Sequence, residues 1–351
     1  MKALILEGPC EFRYADLPDP SPAPDEVLIG VQACGICGSD VHGMDGSSGR
    51  RRPPIVMGHE AAGTVAAVGD SVSDWPVGTR VTFDSTISCG SCNFCRRGQI
   101  NLCDHRQVLG VSCDEYRRNG AFAEYVVVPE RVLYRLPDGL SFEKAAFTEP
   151  AAVALHAVRR AAPEPGSTAV VVGAGMIGLL IVQALREAGC GPIIAVDLDE
   201  YRLALAGQFG ATKTVDARTG DAVTALHEAT DSRGADVVLE AVGHTDAVRT
   251  AIGAARKGGA VVLVGNLSPQ VELPLQQVVT RELNVLGSCA IRDEYPDALA
   301  MLADGRIDTE PLISAVAPLP DGADWFARLY RREDKLMKVI LQPNPQEDRY
   351  G

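Results

Sequence analysis

A chain of 351 residues with 46% hydrophobic composition is long enough to bury two cores, and its formal charge of −13 is spread without a basic stripe, which argues against nucleic acid or an anionic membrane surface as partner. The longest apolar run, 169–182, is too short to span a bilayer and carries three glycines, and the apolar run after Met1 and Lys2 is too short for a signal peptide. The expectation is a soluble, cytoplasmic protein with no membrane segment.

In chain order, the first segment alternates short apolar strands with turn chemistry. Pro18, Pro20, Pro22 and Pro24 precede a strand at 27–33, and a further strand at 120–128 is stopped by Pro129. This predicts a mainly antiparallel β domain over 1–150. From 143 to 162 the period becomes helical. Strands (170–172, 193–196, 237–239, 260–264) then alternate with helices (177–188, 200–209, 247–255), a pattern that predicts a doubly wound parallel sheet over 151–288. The tail, 289–351, holds helices near 296–303 and 323–331 and a strand at 336–341. It is too short to stand alone and is expected to return to the first domain.

Chemistry concentrates in three places. Cys37-Gly38-Ser39-Asp40-Val41-His42, a basic Pro-containing loop, and Gly58-His59-Glu60 together offer thiol, imidazole and carboxylate, the donor types of a zinc site that keeps one position open. Cys89-x-x-Cys92-x-x-Cys95-x7-Cys103 supplies four thiolates, which close a tetrahedral shell and make a second zinc structural. An iron–sulfur cluster is the chemical rival, disfavoured by the long gap before Cys103 and the lack of a following proline. His105 is then surplus. Cys34, although two residues from Cys37 in a Cys-x-x-Cys pair, reads as a strand-end core residue.

The third place is Gly173-Ala174-Gly175-Met176-Ile177-Gly178, which follows a strand, opens a helix, and is followed by Asp197 at the end of the next strand. Glycines there permit a tight turn and close approach of backbone to a pyrophosphate, and the helix N-terminus faces the phosphates. A carboxylate at Asp197 suits the ribose hydroxyls of NAD and repels the 2′-phosphate of NADP. Arg202 argues the other way, and Asp197 is taken to prevail because it sits at the strand end itself.

With these residues in view, the whole chain resembles the medium-chain, zinc-dependent alcohol dehydrogenase family. Thr148-Glu149-Pro150, with Glu149 where classical members have a cysteine, looks like its sorbitol (polyol) branch. The resemblance implies a GroES-like catalytic domain with a zinc lobe at about 89–103, joined to a Rossmann domain. It implies that Cys37 and His59 bind catalytic zinc, with Glu149 third, directly or through water, and Glu60 beside the metal. Asp40 then holds the His59 ring, Ser39 begins a proton relay with His42 as an outlet, and Ile177 backs the nicotinamide. Gly173, Gly175, Gly178, Asp197 and Arg202 would contact the cofactor. His156 and His244 match no functional position and are read as structural.

Two departures from the branch stand out. Gly43-Met44 occupies the place of a family aromatic, and Cys289-Ala290-Ile291 replaces an arginine-tyrosine pair, with Arg292 displaced along the chain.

The implied activity is NAD-dependent oxidation of a secondary alcohol of a polyol, sugar alcohol or cyclitol to a ketone, in a homodimer or homotetramer with two zinc ions per chain. Same-mechanism alternatives are a polyol-phosphate, aminocyclitol or L-threonine dehydrogenase. A non-catalytic, crystallin-like or regulatory binding protein is the rival of a different class. Arg50, Arg51 and Arg52 read either as a solvated charge run or as a contact for an anionic substrate group.

Overall fold

The computed structural model describes residues 1–113, 116–333 and 335–344. Two compact units emerge. The first comprises Met1–Glu149, Ile291–Asp304 and the described residues from Thr309 onward; the second comprises Pro150–Ala290 and Gly305–Asp308.

The first unit is built from β1 (Lys2–Gly8), β2 (Glu11–Asp16), β3 (Glu26–Gly35), β4 (Ile55–Val56), β5 (Glu60–Val68), β6 (Arg80–Phe83), β7 (Thr86–Ile87), β8 (Gln107–Val108), β9 (Val111–Cys113), β10 (Tyr116–Arg118), β11 (Tyr125–Pro129) and β12 (Leu133–Arg135), with short helices α1 (Gly38–Gly43), α2 (Asn93–Arg96) and α3 (Phe142–Ala145). In β3 the pleat sends Val27, Ile29, Val31 and Ala33 into the core, each fully buried. β3 pairs antiparallel with both β5 and β11, and β6 links β5 to β12.

The strand expected at 120–128 is shorter than that. Residues 120–122 instead donate their backbone N–H groups to the carbonyls of Val56, Gly58 and Met57, and a Cβ on Gly120 would collide with Gly58 O, so two backbones cross where regular pairing was expected. Pro129 closes β11 without loss, because a strand's last residue need not donate. The helical run expected over 143–162 divides into α3 and α4 (Thr148–Ala161), since Pro150 has no N–H and is tolerated only in a first turn. Thr148 Oγ1 donates to Ala145 O at 2.6 Å across the break.

The second unit contains β13 (Ala169–Val172), β14 (Ile193–Asp197), β15 (Lys213–Asp216), β16 (Ala235–Glu240), β17 (Ala255–Leu263) and β18 (Asn284–Gly287), all parallel, in the order β15-β14-β13-β16-β17-β18. Its helices are α5 (Met176–Glu187), α6 (Glu200–Gln208), α7 (Ala222–Ala229), α8 (Thr245–Ala254) and α9 (Leu275–Thr280). α5 packs with α6, and α8 packs with α7 and α9; both α5 and α8 lie on the central strands. The strand order reverses direction between β13 and β16, the switch point at which such sheets bind ligands.

The chain then returns to the first unit through α10 (Tyr295–Ala303), β19 (Ile313–Pro318), α11 (Gly322–Tyr330) and β20 (Lys338–Gln342). β20 pairs antiparallel with β3 and parallel with β19, which completes the sheet as β12-β6-β5-β3-β20-β19. Among the described residues no helix is long and apolar enough to cross a membrane.

Candidate active site and metal centres

Pairing of β3 with β5 puts Gly35 opposite Glu60, so the residues that follow β3 lie beside those that open β5. Cys37 caps α1, its Sγ accepting from Ser39 N at 3.5 Å. Gly58, at φ +96°, leaves no room for a side chain: a Cβ would stand 2.9 Å from both Cys34 Sγ and Phe122 N. The consequence is that one ligand atom from each of Cys37, His59 and Glu60 lies within 4.8 Å of the others. Cys34 is buried in β3 and is not one of that group.

Glu149 stands in the first turn of α4, outside that tight group but within its field. Burial, with Glu60, Cys37 and Asp84 nearby, pushes its carboxyl up to about 8 against the pull of His59. Cys37 is pushed up to about 12, by burial first and then by Glu60. The Cys37 thiol and the Glu149 carboxyl are both held toward their protonated forms, and a divalent cation between them would reverse that. The donor set therefore fits a zinc ion.

Two further contacts organise the group. Asp40, fully buried, accepts from Arg51 Nε at 3.0 Å and Nη2 at 2.6 Å through Oδ1, while its Oδ2 lies 3.4 Å from His59 Nδ1. That last pair is an orphan on both sides, neither atom having another partner, which suits an imidazole whose other nitrogen faces a metal. Lys338 Nζ, from β20, pairs with Glu60 Oε2 at 2.5 Å and also donates to Ile36 O at 3.1 Å, with both side chains almost wholly buried.

Arg51 corrects a reading from sequence. It is neither part of a solvated run nor free to meet substrate: it is 4% exposed and committed to Asp40, whereas Arg50 and Arg52 are exposed. Lys338 was not singled out at all; its only signal is a lysine within the apolar run of β20. Arg292, also watched as a displaced arginine, donates from Nε to Gly98 O at 2.7 Å, beside the cysteine lobe. Ser39, exposed, donates from Oγ to Cys37 Sγ at 3.3 Å. Burial and Arg332 pull the His42 imidazole below its ordinary value, with Asp45 opposing.

In the cysteine lobe, Cys89, Cys92, Cys95 and Cys103 bring their sulfurs within 4.8 Å of one another. Tetrahedral zinc with Zn–S of about 2.3 Å requires sulfurs about 3.8 Å apart, and Cys89 and Cys95 stand at 4.0 Å. Backbone N–H groups aim at these sulfurs: Cys92 N at Cys89, Cys95 N at Cys92, and both Cys89 N and His105 N at Cys103, over 3.2–3.5 Å. The backbone N–H groups of Ser91 and then Cys92 hold Cys89 down to about 5. The four sulfurs fit a structural zinc, and His105 contributes only its backbone.

In the second unit, Gly175 caps α5 without a side-chain acceptor, so the first-turn N–H groups are left for a ligand. A Cβ on Gly178 would collide with Gly173 O, and one on Gly173 with Val242, so this loop requires glycine at both positions. Asp197 accepts from Ala174 N through Oδ2 at 2.6 Å and from Leu198 N and Asp199 N through Oδ1, which fixes its carboxylate beside the glycine loop with lone pairs to spare. Arg202 Nε is a loose 3.9 Å from Asp199, and its Nη1 reaches within 4.0 Å of the Cβ position of Gly175. Ile177 lies in the first turn of α5. The pattern fits a dinucleotide. His244 caps α8 and His156 is buried in α4.

Two family models match the chain. The family model for the alcohol dehydrogenase GroES-like domain matches residues 23–138, and that for zinc-binding dehydrogenases matches 177–304. Sorbitol dehydrogenase of Bacillus subtilis is 36% identical over 98% of this chain and 98% of its own length. D-arabitol-phosphate dehydrogenase of Enterococcus avium is 35% identical over 99% of both chains. A Sinorhizobium meliloti protein solved with NADP superposes with a TM-score of 0.90 at 36% identity, over 97% of this chain and 99% of its own.

Proposed function

The chain belongs to the medium-chain, zinc-dependent alcohol dehydrogenase family, in its sorbitol (polyol) branch, and from that premise we propose that it oxidises a secondary alcohol of a polyol, sugar alcohol or cyclitol to a ketone with NAD. The observation that carries the reading is the convergence of Cys37, His59 and Glu60, with Asp40 behind the imidazole. With both groups bound, zinc supplies Lewis acidity toward the alcohol oxygen and the dinucleotide supplies the hydride acceptor.

The protein's residues do the rest. Cys37 and His59 would hold the metal, and Glu149 would join them directly or through water. A carboxylate in place of a third soft donor favours oxygen-rich substrates such as vicinal diols. Glu60 stays beside the site on the Lys338 ammonium, placed to assist ligand exchange. Ser39 Oγ takes the alcohol proton, and His42 passes it outward. A dinucleotide held by the second unit would supply the acceptor for the hydride that leaves the alcohol carbon. Gly173, Gly175 and Gly178 admit the pyrophosphate, Ile177 backs the nicotinamide, Asp197 accepts from the ribose hydroxyls, and Arg202 lies along the adenine.

Two zinc ions per chain, a homodimer or homotetramer, and a cytoplasmic location complete the proposal. The Enterococcus avium relative supports a second reading, in which the polyol is phosphorylated. The test is reduction of NAD and NADP, followed at 340 nm, across pentitols, hexitols, their phosphates, cyclitols, threonine and simple alcohols. A polyol or its phosphate with NAD is expected to give the highest kcat/KM; ethanol or benzyl alcohol in that position refutes the substrate class.

A further inference from the structure

Arg51 is the least expected side chain in the first unit: a guanidinium from an exposed, Gly- and Ser-rich loop, buried to 4%. Its Nη1 donates to Arg50 O at 3.4 Å, and the remaining donors go to two side chains. Nε and Nη2 both reach Asp40 Oδ1, and Nη2 also reaches Ser39 Oγ at 3.3 Å. Each acceptor in turn touches a different proposed metal ligand. Asp40 faces His59 Nδ1 through the oxygen that Arg51 leaves unused, and Ser39 donates to Cys37 Sγ.

A second observation shows that the fold makes room for this arrangement. Gly43, buried at the end of α1, has ordinary negative φ, so backbone conformation does not require glycine there. Space does. A Cβ at position 43 would stand 2.7 Å from Arg51 Cγ and 3.6 Å from Arg51 Cβ, against the stem of the side chain. Any larger residue at 43 therefore presses on the stem of Arg51.

We infer that Arg51 is a positioning residue for the catalytic metal, bracing Cys37 through Ser39 and His59 through Asp40, in a slot that Gly43 keeps open. The inference rests on the zinc reading of the Cys37 site. Physically, a carboxylate buried without water swings to whichever donor it is offered, and two guanidinium donors on Oδ1 neutralise its charge and anchor that oxygen, which leaves Oδ2 for His59. Once Asp40 is fixed, the His59 ring is held with Nδ1 toward it and Nε2 outward. The cost of the brace is one desolvated cation, compensated by Asp40.

The test uses the full-length, zinc-loaded protein and follows zinc release to a chromogenic chelator alongside thermal unfolding. The phase absent from His59→Ala belongs to the catalytic site. Arg51→Gln is expected to accelerate that phase about tenfold, the low end for residues behind metal ligands, while the cysteine-lobe phase is unchanged. Arg51→Lys, which keeps the charge but gives up the fork, falls between. Gly43→Ala reproduces Arg51→Gln, and the two together are no worse than either, because both remove one interaction.

Unchanged catalytic-phase release in Arg51→Gln overturns the inference, as does equal acceleration of both phases with a lower melting temperature, which marks a general structural role. If Arg51→Gln does not fold, Arg51→Lys and Gly43→Ala decide by the same criteria. Identical traces for wild type and His59→Ala remove the catalytic-zinc reading and this inference with it, a result separable from failure of Arg51 alone.

Discussion

Asp84 shows how a single buried group ties stability to pH. It closes β6, is 3% exposed, and accepts from Thr86 N at 2.8 Å, yet burial pushes its carboxyl up to about 7, with Glu294 adding to the rise. A carboxyl whose folded value is raised holds its proton longer than the unfolded chain does. It therefore favours folding most fully below the unfolded value near 4, and that contribution is lost as pH rises through 7. Asp84→Asn keeps the acceptor for Thr86 and cannot ionise. At pH 8 it should be more stable than wild type by up to about 4 kcal/mol, and at pH 4 nearly equal. Urea unfolding at the two pH values measures this; equal differences at both would show that Asp84 is ionised throughout. Legibility at this scale is uneven for a physical reason. Cys37, His59 and Glu60 could be picked out because metal chemistry needs those atom types at short spacing, and Asp40 because the family resemblance implied it, whereas Lys338 is 278 residues from Glu60 along the chain and only the folded sheet joins them. Arg51 was misread because nothing local distinguishes a buried arginine from its exposed neighbours.

Elements were legible where burial writes a period into the sequence. β13 and most of β14 and β16 are buried apolar runs, and α5 follows a loop in which Gly173 and Gly178 admit no side chain. β15 and β18 went unread because they are the edges of their sheet, half-exposed and polar in part. The cysteine lobe is the opposite case: among the described residues it has almost no regular structure beyond the four-residue α2, with no residue of that helix buried, so its order must come from its sulfurs. Cys92→Ala removes both a ligand and the cap of α2. The variant should lose one of two zinc ions, and the lobe should become the first site of proteolytic cleavage, since structural zinc contributes on the order of 10 kcal/mol of apparent binding energy. Elemental analysis and limited proteolysis test this. Full zinc content in Cys92→Ala would mean that the lobe does not hold the second ion.

At the scale of the whole molecule, each unit has its own hydrophobic core and its own chemistry. The proposed metal ligands Cys37, His59 and Glu149 fall in the first, and the glycine loop with Asp197 falls in the second. That partition was readable because a change from period-two strands to alternating strands and helices marks a change of architecture. Substrate identity was not, since it depends on side chains gathered from distant segments, and the departures at Gly43 and Cys289 remove the family's usual landmarks. The partition predicts that cofactor choice and metal content vary independently. His59→Ala should lose one zinc and all turnover while binding NADH with wild-type affinity, because no proposed dinucleotide contact lies in the unit it alters. Asp197→Asn should keep both zinc ions and narrow the preference for NAD over NADP in kcat/KM by about tenfold or more, as loss of one charge repulsion of a kilocalorie or two implies. Fluorescence titration with NADH and NADPH, paired with zinc analysis of each variant, reads both arms. Loss of NADH binding in His59→Ala refutes the independence of the two units, and a wild type that already prefers NADP assigns the choice to Arg202, whose guanidinium already leans over Gly175.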